Sequence, residues 1–447
     1  MKTVALRSLG CKVNAYETEG MQQILQQKGY SIVPFDKKAD IYIVNTCSVT
    51  NIADQKSRQM LHRAKKTNPE GIVVACGCYV QTGKERLEID PAVDIIVGNN
   101  EKKNIAEILE DYYASLEENA SCNTFSVVPN MDEESDYEEM RVDVPSEHTR
   151  SFVKIQDGCN RFCTYCVIPY ARGRIRSRLI EDVVGEVTAL AANGCKEIVI
   201  TGIHISSYGL DRGECELLDL LKRLNLIEGI ERIRLGSLEP GIITEEFAKG
   251  IRGLEKVCPH FHLSMQSGTD SVLKRMNRHY TAAEFYEKTQ ILRAVYDSPA
   301  ITTDVIVGFP GETQEEFEQT LEFVKKIDFY ELHVFKYSRR DGTVAARMPD
   351  QIPEKDKNSR SEALIALGNE MSLAYRQKKI GKSVSVLIEE IKEINGKKYW
   401  IGHTPEYIKA AVEYEKGTDL ENKLIFGVLG DFISPEVLQC IGGKINE

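Results

Sequence analysis

Three closely spaced cysteines are the residues of this sequence whose types and spacing best suit chemistry. Cys159, Cys163 and Cys166 place three thiols within eight residues, directly after a predicted strand. Three thiolates can hold three irons of a 4Fe-4S cube and leave the fourth iron open, whereas a closed structural cluster or a zinc site usually takes four ligands. No fourth Cys or His follows at close spacing, so the pattern favours an open cluster over a zinc knuckle or incidental thiols.

A second group of cysteines follows the predicted strands of the N-terminal region. Cys11, Cys47 and Cys78 each come after a separate strand, so they should converge at the carboxyl edge of one parallel sheet, where such folds bind ligands. A second three-ligand cluster would fit there; three unrelated core cysteines are the alternative. Cys76, two residues before Cys78, is interpreted as structural. The remaining cysteines form no cluster in sequence and are interpreted as structural or incidental: Cys122, Cys195, Cys215, Cys258 and Cys440.

The elements that must position the second group lie in a predicted N-terminal α/β domain, residues 1–116. Short apolar runs alternate with helical stretches, which predicts a mainly parallel sheet with helices on its faces. The predicted strands are Thr3–Leu9, Ile41–Val44, Ile72–Ala75 and Asp94–Val97. Residues 117–147 are acidic and irregular, so we expect a solvated linker between domains there.

The first three cysteines belong to a second predicted domain, residues 148–378. Six βα units in succession suggest an open or partial (β/α)6 barrel, with function at the carboxyl ends of its strands. The apolar runs are Phe152–Ile155, Ile198–Ile200, Ile230–Leu235, His260–Met265, Thr303–Val307 and Leu332–Phe335. A charged helix over residues 354–379 should close this domain.

The predicted secondary structure changes in the tail, residues 379–447, from alternating strands and helices to short strands alone. Short predicted strands are separated by turns at Asn395-Gly396 and Lys416-Gly417, the pattern of a small β-barrel. Its strands should be Ser383–Ile388, Lys398–Ile401, Tyr407–Val412 and Lys423–Val428. The aromatic rings of Tyr399, Trp400 and Tyr407 could stack on bases, or they could be core.

Bulk properties restrict the class of protein. A chain of 447 residues is expected to form two or three domains. There is no apolar run of about 20 residues and no secretory signal, so we expect a cytosolic protein without a membrane partner, in which cysteines serve as ligands or buried thiols. The net charge of −11 argues against indiscriminate nucleic-acid binding, and no DNA partner is expected, but a local basic strip could hold RNA.

Several separated motifs carry a resemblance to one family. The cysteine triplet that opens six βα units resembles the radical S-adenosylmethionine (SAM) superfamily. Four further motifs resemble those of its methylthiotransferases, and the match spans nearly the whole chain, including a C-terminal barrel similar to the RNA-binding TRAM domain. These motifs are Leu9–Asn14, Asn45–Thr50, Gly77–Tyr79 and Ile168–Gly173.

The resemblance implies two 4Fe-4S clusters and SAM as cofactors. Cys159, Cys163 and Cys166 would hold the cluster that cleaves SAM, and the N-terminal cysteines would hold an auxiliary cluster that carries the sulfur. One SAM would methylate that sulfur, and a second would yield a 5′-deoxyadenosyl radical that takes hydrogen from adenine C2. The radical arises at the cluster, so no catalytic side chain is assigned, and an unidentified electron donor is required.

Within the family, the residues around Cys11 and Cys47 resemble one bacterial subgroup. Gly10–Asn14 and Asn45–Gln59 are similar to enzymes that convert N6-threonylcarbamoyladenosine at tRNA position 37 to its 2-methylthio form. The partner would be the tRNA anticodon loop. The alternatives are methylthiolation of N6-isopentenyladenosine in tRNA or of a ribosomal protein, and a non-enzymatic iron–sulfur RNA-binding protein.

Further polar residues lie at or just after predicted strand ends, where the resemblance implies SAM contacts, although each could be a capping residue. They are Thr201, Gly202, Ser237, Glu239, Gln266 and Asp304. Arg172, Arg174, Arg176 and Arg178 alternate, which in an extended segment would align four guanidiniums for phosphates or a SAM carboxylate; a solvated strand edge is the alternative. Gly308–Thr313 lacks the Gly-Lys-Ser/Thr ending of a phosphate loop and is interpreted as a strand-to-helix turn.

Overall fold

The N-terminal part of the chain forms a parallel sheet with helices on both faces. The computed structural model describes residues 1–117, 124–145 and 149–445. Six strands in the order β2-β1-β3-β4-β5-β6 pair in parallel, as expected. The elements are β1 Thr3–Ser8, α1 Lys12–Gln27, β2 Ser31–Ile32, β3 Ile41–Thr46, α2 Asn51–Thr67, β4 Ile72–Gly77, α3 Cys78–Glu88, β5 Ile95–Val97, α4 Ile105–Glu117 and β6 Phe125–Val127.

Burial on both faces explains the apolar runs of this sheet. Every residue of β3 is buried, and successive side chains enter two different apolar clusters. Ile43 packs with Tyr16 of α1 on one face, whereas Val44 packs with Leu61 of α2 on the other. A parallel strand covered by helices on both sides therefore has a continuous apolar sequence.

The segment expected to be a solvated linker is only partly solvated: Asp132, Glu133 and Asp136 are exposed, but other described residues of the segment are built into the fold. Strand β6 extends the sheet, and Met140 and Val142 are buried in the main apolar cluster. Glu138 is also buried and lies 3.5 Å from the Lys102 ammonium. The acidic composition of the segment suggested exposure to solvent, but one of the carboxylates, Glu138, is buried beside a cationic partner. Residues 118–123, with Cys122, and 146–148 lie outside the described residues.

The second part forms the expected partial barrel of six parallel strands. Strands β9, β10 and β7 pair in one sheet and β11, β12 and β13 in another; bridges from Ile233 to Val257 and from Leu238 to Leu263 join them. The elements are β7 Arg150–Asp157, α5 Ile168–Arg172, β8 Arg176–Ser177, α6 Ile180–Ala192, β9 Glu197–Gly202, α7 Leu217–Asn225, β10 Arg232–Leu235, α8 Glu245–Arg252, β11 His260–His262, α9 Asp270–Arg275, α10 Ala282–Val295, β12 Ala300–Val307, α11 Gln314–Ile327 and β13 Glu331–Lys336.

A long helix leads into a closed barrel of five strands, one more than the sequence predicted. The elements are α12 Glu354–Lys379, β14 Ser383–Ile394, β15 Lys397–His403, β16 Lys409–Glu413, β17 Leu424–Ser434 and β18 Val437–Ile445, in the barrel order β14-β15-β16-β18-β17. Tyr399 and Trp400 are 8% and 5% exposed, so their rings belong to the core rather than to a base-stacking surface. No helix within the described ranges combines the length and apolar character needed to cross a membrane.

A buried ionic network joins the N-terminal sheet to the partial barrel. Glu17 of α1 accepts hydrogen bonds from Arg172 Nη1 at 2.8 Å and from Lys154 Nζ at 2.8 Å, and Lys102 Nζ lies 3.2 Å from its carboxylate. Asp157 accepts a second bond from Arg172 at 2.9 Å. Although burial opposes ionisation, the charges of Arg172, Lys102 and Lys154 hold the pKa of Glu17 well below its usual range.

Replacing Glu17 by glutamine should destabilise this junction strongly. Three buried cations would lose a shared anion, and breaking a buried ion pair by removing one partner costs about 3–5 kcal/mol. Amide hydrogen exchange in α1 and β7 should report that loss as faster exchange. The exposed Glu110→Gln variant in α4 is the control; equal protection in both variants would contradict the assignment.

The same network gives the junction a pH dependence. The folded-state pKa of Glu17 is depressed, so its contribution to stability is present above the unfolded-state value of about 4.3 and is lost as the pH falls below it. Exchange protection of α1 in the wild type should therefore fall on acidification below that value.

Candidate active site

The cysteine triplet lies in a loop at the carboxyl end of β7, which places it at the mouth of the partial barrel. Cys159, Cys163 and Cys166 are all partly exposed. Gly158 has a φ of +69°, and a Cβ there would lie 1.8 Å from the Arg174 carbonyl oxygen, so the entry to the loop requires glycine. The three thiols are therefore presented on a tightly folded loop with access to a ligand.

Neighbouring donors favour negative charge on these sulfurs. Cys163 Sγ accepts a hydrogen bond from Arg278 Nη1 at 3.3 Å, and Cys159 Sγ accepts one from the Arg161 backbone N–H at 3.5 Å. Burial raises the pKa of Cys159 to about 11 and that of Cys166 to about 12, so these two thiols are protonated at neutral pH. Iron binding must displace those protons, and the donor set suits an anionic cluster.

The second group of cysteines meets at the carboxyl edge of the N-terminal sheet, as its spacing predicts. Cys11 caps the N-terminus of α1, Cys47 follows β3, and Cys78 is the first residue of α3. Gly10 has a φ of +90°, and a Cβ there would lie 2.4 Å from Cys47 Sγ, which shows how closely the loop after β1 approaches the one after β3. Cys76 is fully buried, and its thiol contacts the Val44 carbonyl.

Donors also converge on this second group. Arg172 Nε donates to Cys78 Sγ at 3.2 Å, and the Asn99 amide lies 3.9 Å from the same sulfur. The N-terminal ends of α1 and α3 add the partial positive charge of their helix dipoles beside Cys11 and Cys78. Three thiols with a guanidinium, an amide and two helix N-termini fit an anionic iron–sulfur cluster.

Arg172 connects the two cysteine groups. It ends α5, just after the triplet, and its guanidinium reaches Cys78, Glu17 and Asp157. The side chain is fully buried. Arg176 and Arg178 are also buried, whereas Arg174 is exposed with its guanidinium 4.5 Å from the centre of the Phe162 ring. The arginines form neither an aligned anion-binding row nor a solvated edge, because Arg172 belongs to the helix α5 and only Arg174 of the four is exposed.

Glu239 lies beside the triplet, as its position after β10 predicts. Its carboxylate pairs with Arg161 of the triplet loop, with Arg278 at 3.5 Å and with His204 Nε2 at 3.2 Å. Burial opposes ionisation, yet His204, Arg278 and Arg161 together lower the pKa of Glu239 to about 2. Sequence reasoning did not identify three of these residues, Arg161, His204 and Arg278. The only signal available was the position of Arg161 inside the triplet.

The other candidate SAM residues occupy different environments. Thr201 is buried, Ser237 is exposed, and a Cβ on Gly202 would lie 3.0 Å from the Gln156 carbonyl oxygen. Gln266 has a left-handed backbone with a φ of 66° and bridges to β12. The Asp304 carboxylate bonds to two histidines. The six residues therefore differ in exposure and in the groups that they contact.

Asp304 belongs to a histidine pair on the inner wall of the barrel. Its two oxygens lie 3.2 Å from His262 Nε2 and 3.2 Å from His333 Nδ1, and the two imidazole rings are stacked. Burial opposes ionisation, but these histidines hold the pKa of Asp304 well below its usual range. The Asp304 carboxylate therefore orients the imidazole rings of His262 and His333.

The sequence predicts that Glu239 supports SAM binding, so replacing it by glutamine should weaken that binding. The amide keeps the shape but removes the charge that orients Arg161 and Arg278 beside Cys163, and a hydrogen bond to a charged group contributes about 1.5–3 kcal/mol. We expect the Kd for SAM to rise by about 10-fold or more, measured by anaerobic equilibrium dialysis. Glu245→Gln, which removes an exposed partner of Lys249, is the matched control; an unchanged Kd in Glu239→Gln would refute the role.

The C-terminal barrel closes the amino end of the partial barrel. Arg232 donates to the His403 carbonyl at 2.8 Å, and Arg234 donates to the Pro405 carbonyl at 2.8 Å. Tyr407 stacks on His260, with ring centres 5.3 Å apart, and so packs against the barrel. A cleft of 770 Å³ runs beside the edge strand β13 between α12 and the C-terminal barrel.

Two family models match the chain. The first is described as Uncharacterized protein family UPF0004 and covers residues 3–98. The second is the Radical SAM superfamily and covers residues 153–324. Between them the two matches include all six cysteines of the two groups.

Curated relatives match over most of their length. The threonylcarbamoyladenosine tRNA methylthiotransferase MtaB of Bacillus subtilis is 42% identical, with 100% of this chain and 96% of that protein covered. The protein of the same name from Aquifex aeolicus is 41% identical, with 87% and 93% covered. The tRNA-2-methylthio-N(6)-dimethylallyladenosine synthase of Caldicellulosiruptor saccharolyticus is 37% identical, with 87% and 82% covered.

A solved structure resembles the fold at low sequence identity. The radical S-adenosylmethionine methyltransferase TsrM from Kitasatospora setae superposes with a TM-score of 0.57 at 16% identity, covering 77% of this chain and 77% of that chain. This similarity extends over most of the architecture and supports the fold assignment.

Proposed function

The chain belongs to the radical SAM tRNA methylthiotransferases, and on that premise we propose that it converts N6-threonylcarbamoyladenosine at position 37 of tRNA to its 2-methylthio derivative. The relative that matches the whole chain at 42% identity carries that nucleoside in its name, and this observation supports the proposal most strongly. Relatives named for dimethylallyladenosine are 34–38% identical, so that nucleoside is the second candidate.

We propose that each cysteine group holds one 4Fe-4S cluster. When bound, the cluster on Cys159, Cys163 and Cys166 would supply the electron that cleaves SAM, and the one on Cys11, Cys47 and Cys78 would carry the sulfur to be transferred. The contacts of Cys78 and Cys163 with guanidiniums support this assignment, since cationic donors stabilise bound thiolates.

The chain's own residues would orient the reactants. Glu239 fixes Arg161 and Arg278 at the mouth of the barrel, where SAM would bind. Arg172 ties the loop after the triplet to Cys78, so the two sulfur groups keep one mutual geometry. Holding reacting groups in fixed relative positions supplies much of the rate enhancement in such a two-site reaction.

The test is nucleoside mass spectrometry on tRNA from cells with and without the gene. Deletion should remove the 2-methylthio form of N6-threonylcarbamoyladenosine and leave its unthiolated precursor in excess, and the wild-type gene should restore the product. Loss of the dimethylallyl product instead would favour the second candidate. Unchanged tRNA accompanied by a lighter ribosomal protein would reject a tRNA substrate.

A further inference from the structure

Lys12 is an accessible cation directly beside a proposed cluster ligand. It is the first residue of α1 and follows Cys11 in the chain. Its side chain is reached by solvent, and within the described residues no carboxylate or carbonyl lies in hydrogen-bonding contact with its ammonium. An unpaired ammonium at such a position is available to a ligand.

Four charged residues of the partial barrel lie within electrostatic range of the Lys12 ammonium. Burial lowers its pKa, and the charges of Arg234 and Arg150 lower it further, whereas Glu197 and Asp304 act in the opposite direction. These four residues belong to β7, β9, β10 and β12 of the barrel wall. A side chain that is accessible to water and interacts electrostatically with these four strands is placed to project into the barrel's interior.

The two acids that raise the pKa of Lys12 are already paired with other side chains. Glu197 accepts from Arg234 at 3.0 and 3.1 Å, and Asp304 is held between His262 and His333 at 3.2 Å each. Arg234 is thereby occupied as well. Lys12 therefore provides a positive charge that the protein leaves unmatched in the interior.

The geometry of the proposed reaction brings one part of the substrate to this charge. In adenine, C2 and C6 both flank N1, so a substituent on N6 and the hydrogen on C2 lie on the same edge of the base. Sulfur carried beside Cys11 must reach C2. The N6 substituent then lies on the edge of the base that faces the cluster, and Lys12 follows the proposed ligand Cys11 at the start of α1.

We propose that Lys12 binds the carboxylate of the threonylcarbamoyl group and so selects an anionic nucleoside over one with an apolar N6 substituent. This inference rests on the proposed function. The threonyl moiety carries a free carboxylate, whereas a dimethylallyl group has no charge. An ammonium–carboxylate contact in a partly enclosed space is a strong, charge-assisted hydrogen bond.

The experiment compares two substrates and three variants of the cluster-loaded enzyme. The substrates are anticodon stem-loop RNAs that carry either threonylcarbamoyladenosine or its neutral threonine-amide analogue. The variants are Lys12→Gln, the charge-conserving Lys12→Arg, and Lys28→Gln, an exposed lysine at the other end of α1. Iron and sulfide analysis of each preparation verifies that both clusters are present.

For the wild type, the KM should be about 10- to 100-fold lower for the carboxylate than for the amide, the range expected for a hydrogen bond to a charged group. Lys12→Gln should raise the KM for the carboxylate to the value for the amide and leave the KM for the amide nearly unchanged. Lys12→Arg should retain most of the discrimination, and Lys28→Gln should retain all of it.

Either of two results would overturn this inference without affecting the proposed function. Lys12→Gln could keep the wild-type ratio of KM values, or it could lower kcat equally for both substrates with no change in that ratio, which would indicate a role in supporting the cluster. A wild-type enzyme that does not methylthiolate the threonylcarbamoyl substrate would overturn the proposed function as well. Activity of the wild-type enzyme on the threonylcarbamoyl substrate therefore distinguishes failure of the inference from failure of the proposed function.

Discussion

Cys163→Ala is expected to abolish both SAM cleavage and methylthiolation. Cys163 is one of three ligands that we assign to the SAM-cleaving cluster, and its sulfur is the one that contacts Arg278. Loss of an essential catalytic group should lower turnover at least about 1,000-fold. Anaerobic chromatography should detect neither 5′-deoxyadenosine nor the 2-methylthio nucleoside, and iron content should fall by about four atoms per chain.

The matched control for this variant is Cys215→Ala. Cys215 is exposed and lies outside both cysteine groups. It should keep its iron content and its turnover. Retention of 5′-deoxyadenosine formation in Cys163→Ala would show that this thiol does not hold the cluster.

Cys78→Ala should separate the two halves of the reaction. The triplet is intact in this variant, so reductive cleavage of SAM to 5′-deoxyadenosine should continue. Methylthiolated product should fall at least about 1,000-fold, because the proposed sulfur carrier loses a ligand. The measurement is the ratio of 5′-deoxyadenosine to 2-methylthio nucleoside, together with iron content, which should again fall by about four atoms.

Cys76→Ala is the informative comparison, because Cys76 lies two residues away on the same chain segment but is buried in the core. It should keep both clusters and both products. A Cys78→Ala protein with full iron content and normal product would reject the auxiliary site and favour three independent core cysteines.

The sequence predicted the placement of both cysteine groups because that placement depends on local order along the chain. A cysteine that follows a buried parallel strand must lie at the carboxyl edge of its sheet, whatever surrounds it. Cys11, Cys47 and Cys78 obey this rule, and the triplet obeys it after β7. The partial barrel and the small C-terminal barrel followed from the same regularity of strand spacing.

The arginines after the triplet were harder to predict because their roles depend on distant partners. The alternation of Arg172 to Arg178 suggested one extended face, but Arg172 ends a short helix and reaches Glu17, which is 155 residues earlier in the chain. Nothing in the local sequence identifies that carboxylate as buried. The same limit applies to Glu138, whose partner Lys102 lies in a short helical turn between β5 and α4.

Because the C-terminal domain closes the partial barrel, its contribution to tRNA affinity is difficult to measure by deletion. The loop from His403 to Tyr407 fills the amino end of the partial barrel, where it accepts hydrogen bonds from Arg232 and Arg234. Deleting the tail to test for lost tRNA affinity would also open the amino end of the partial barrel. It would expose Glu197, Arg232 and Arg234 to bulk water. A truncated enzyme could then consume SAM wastefully for a reason unrelated to RNA, so point substitutions on the outer face of the small barrel are the cleaner probe.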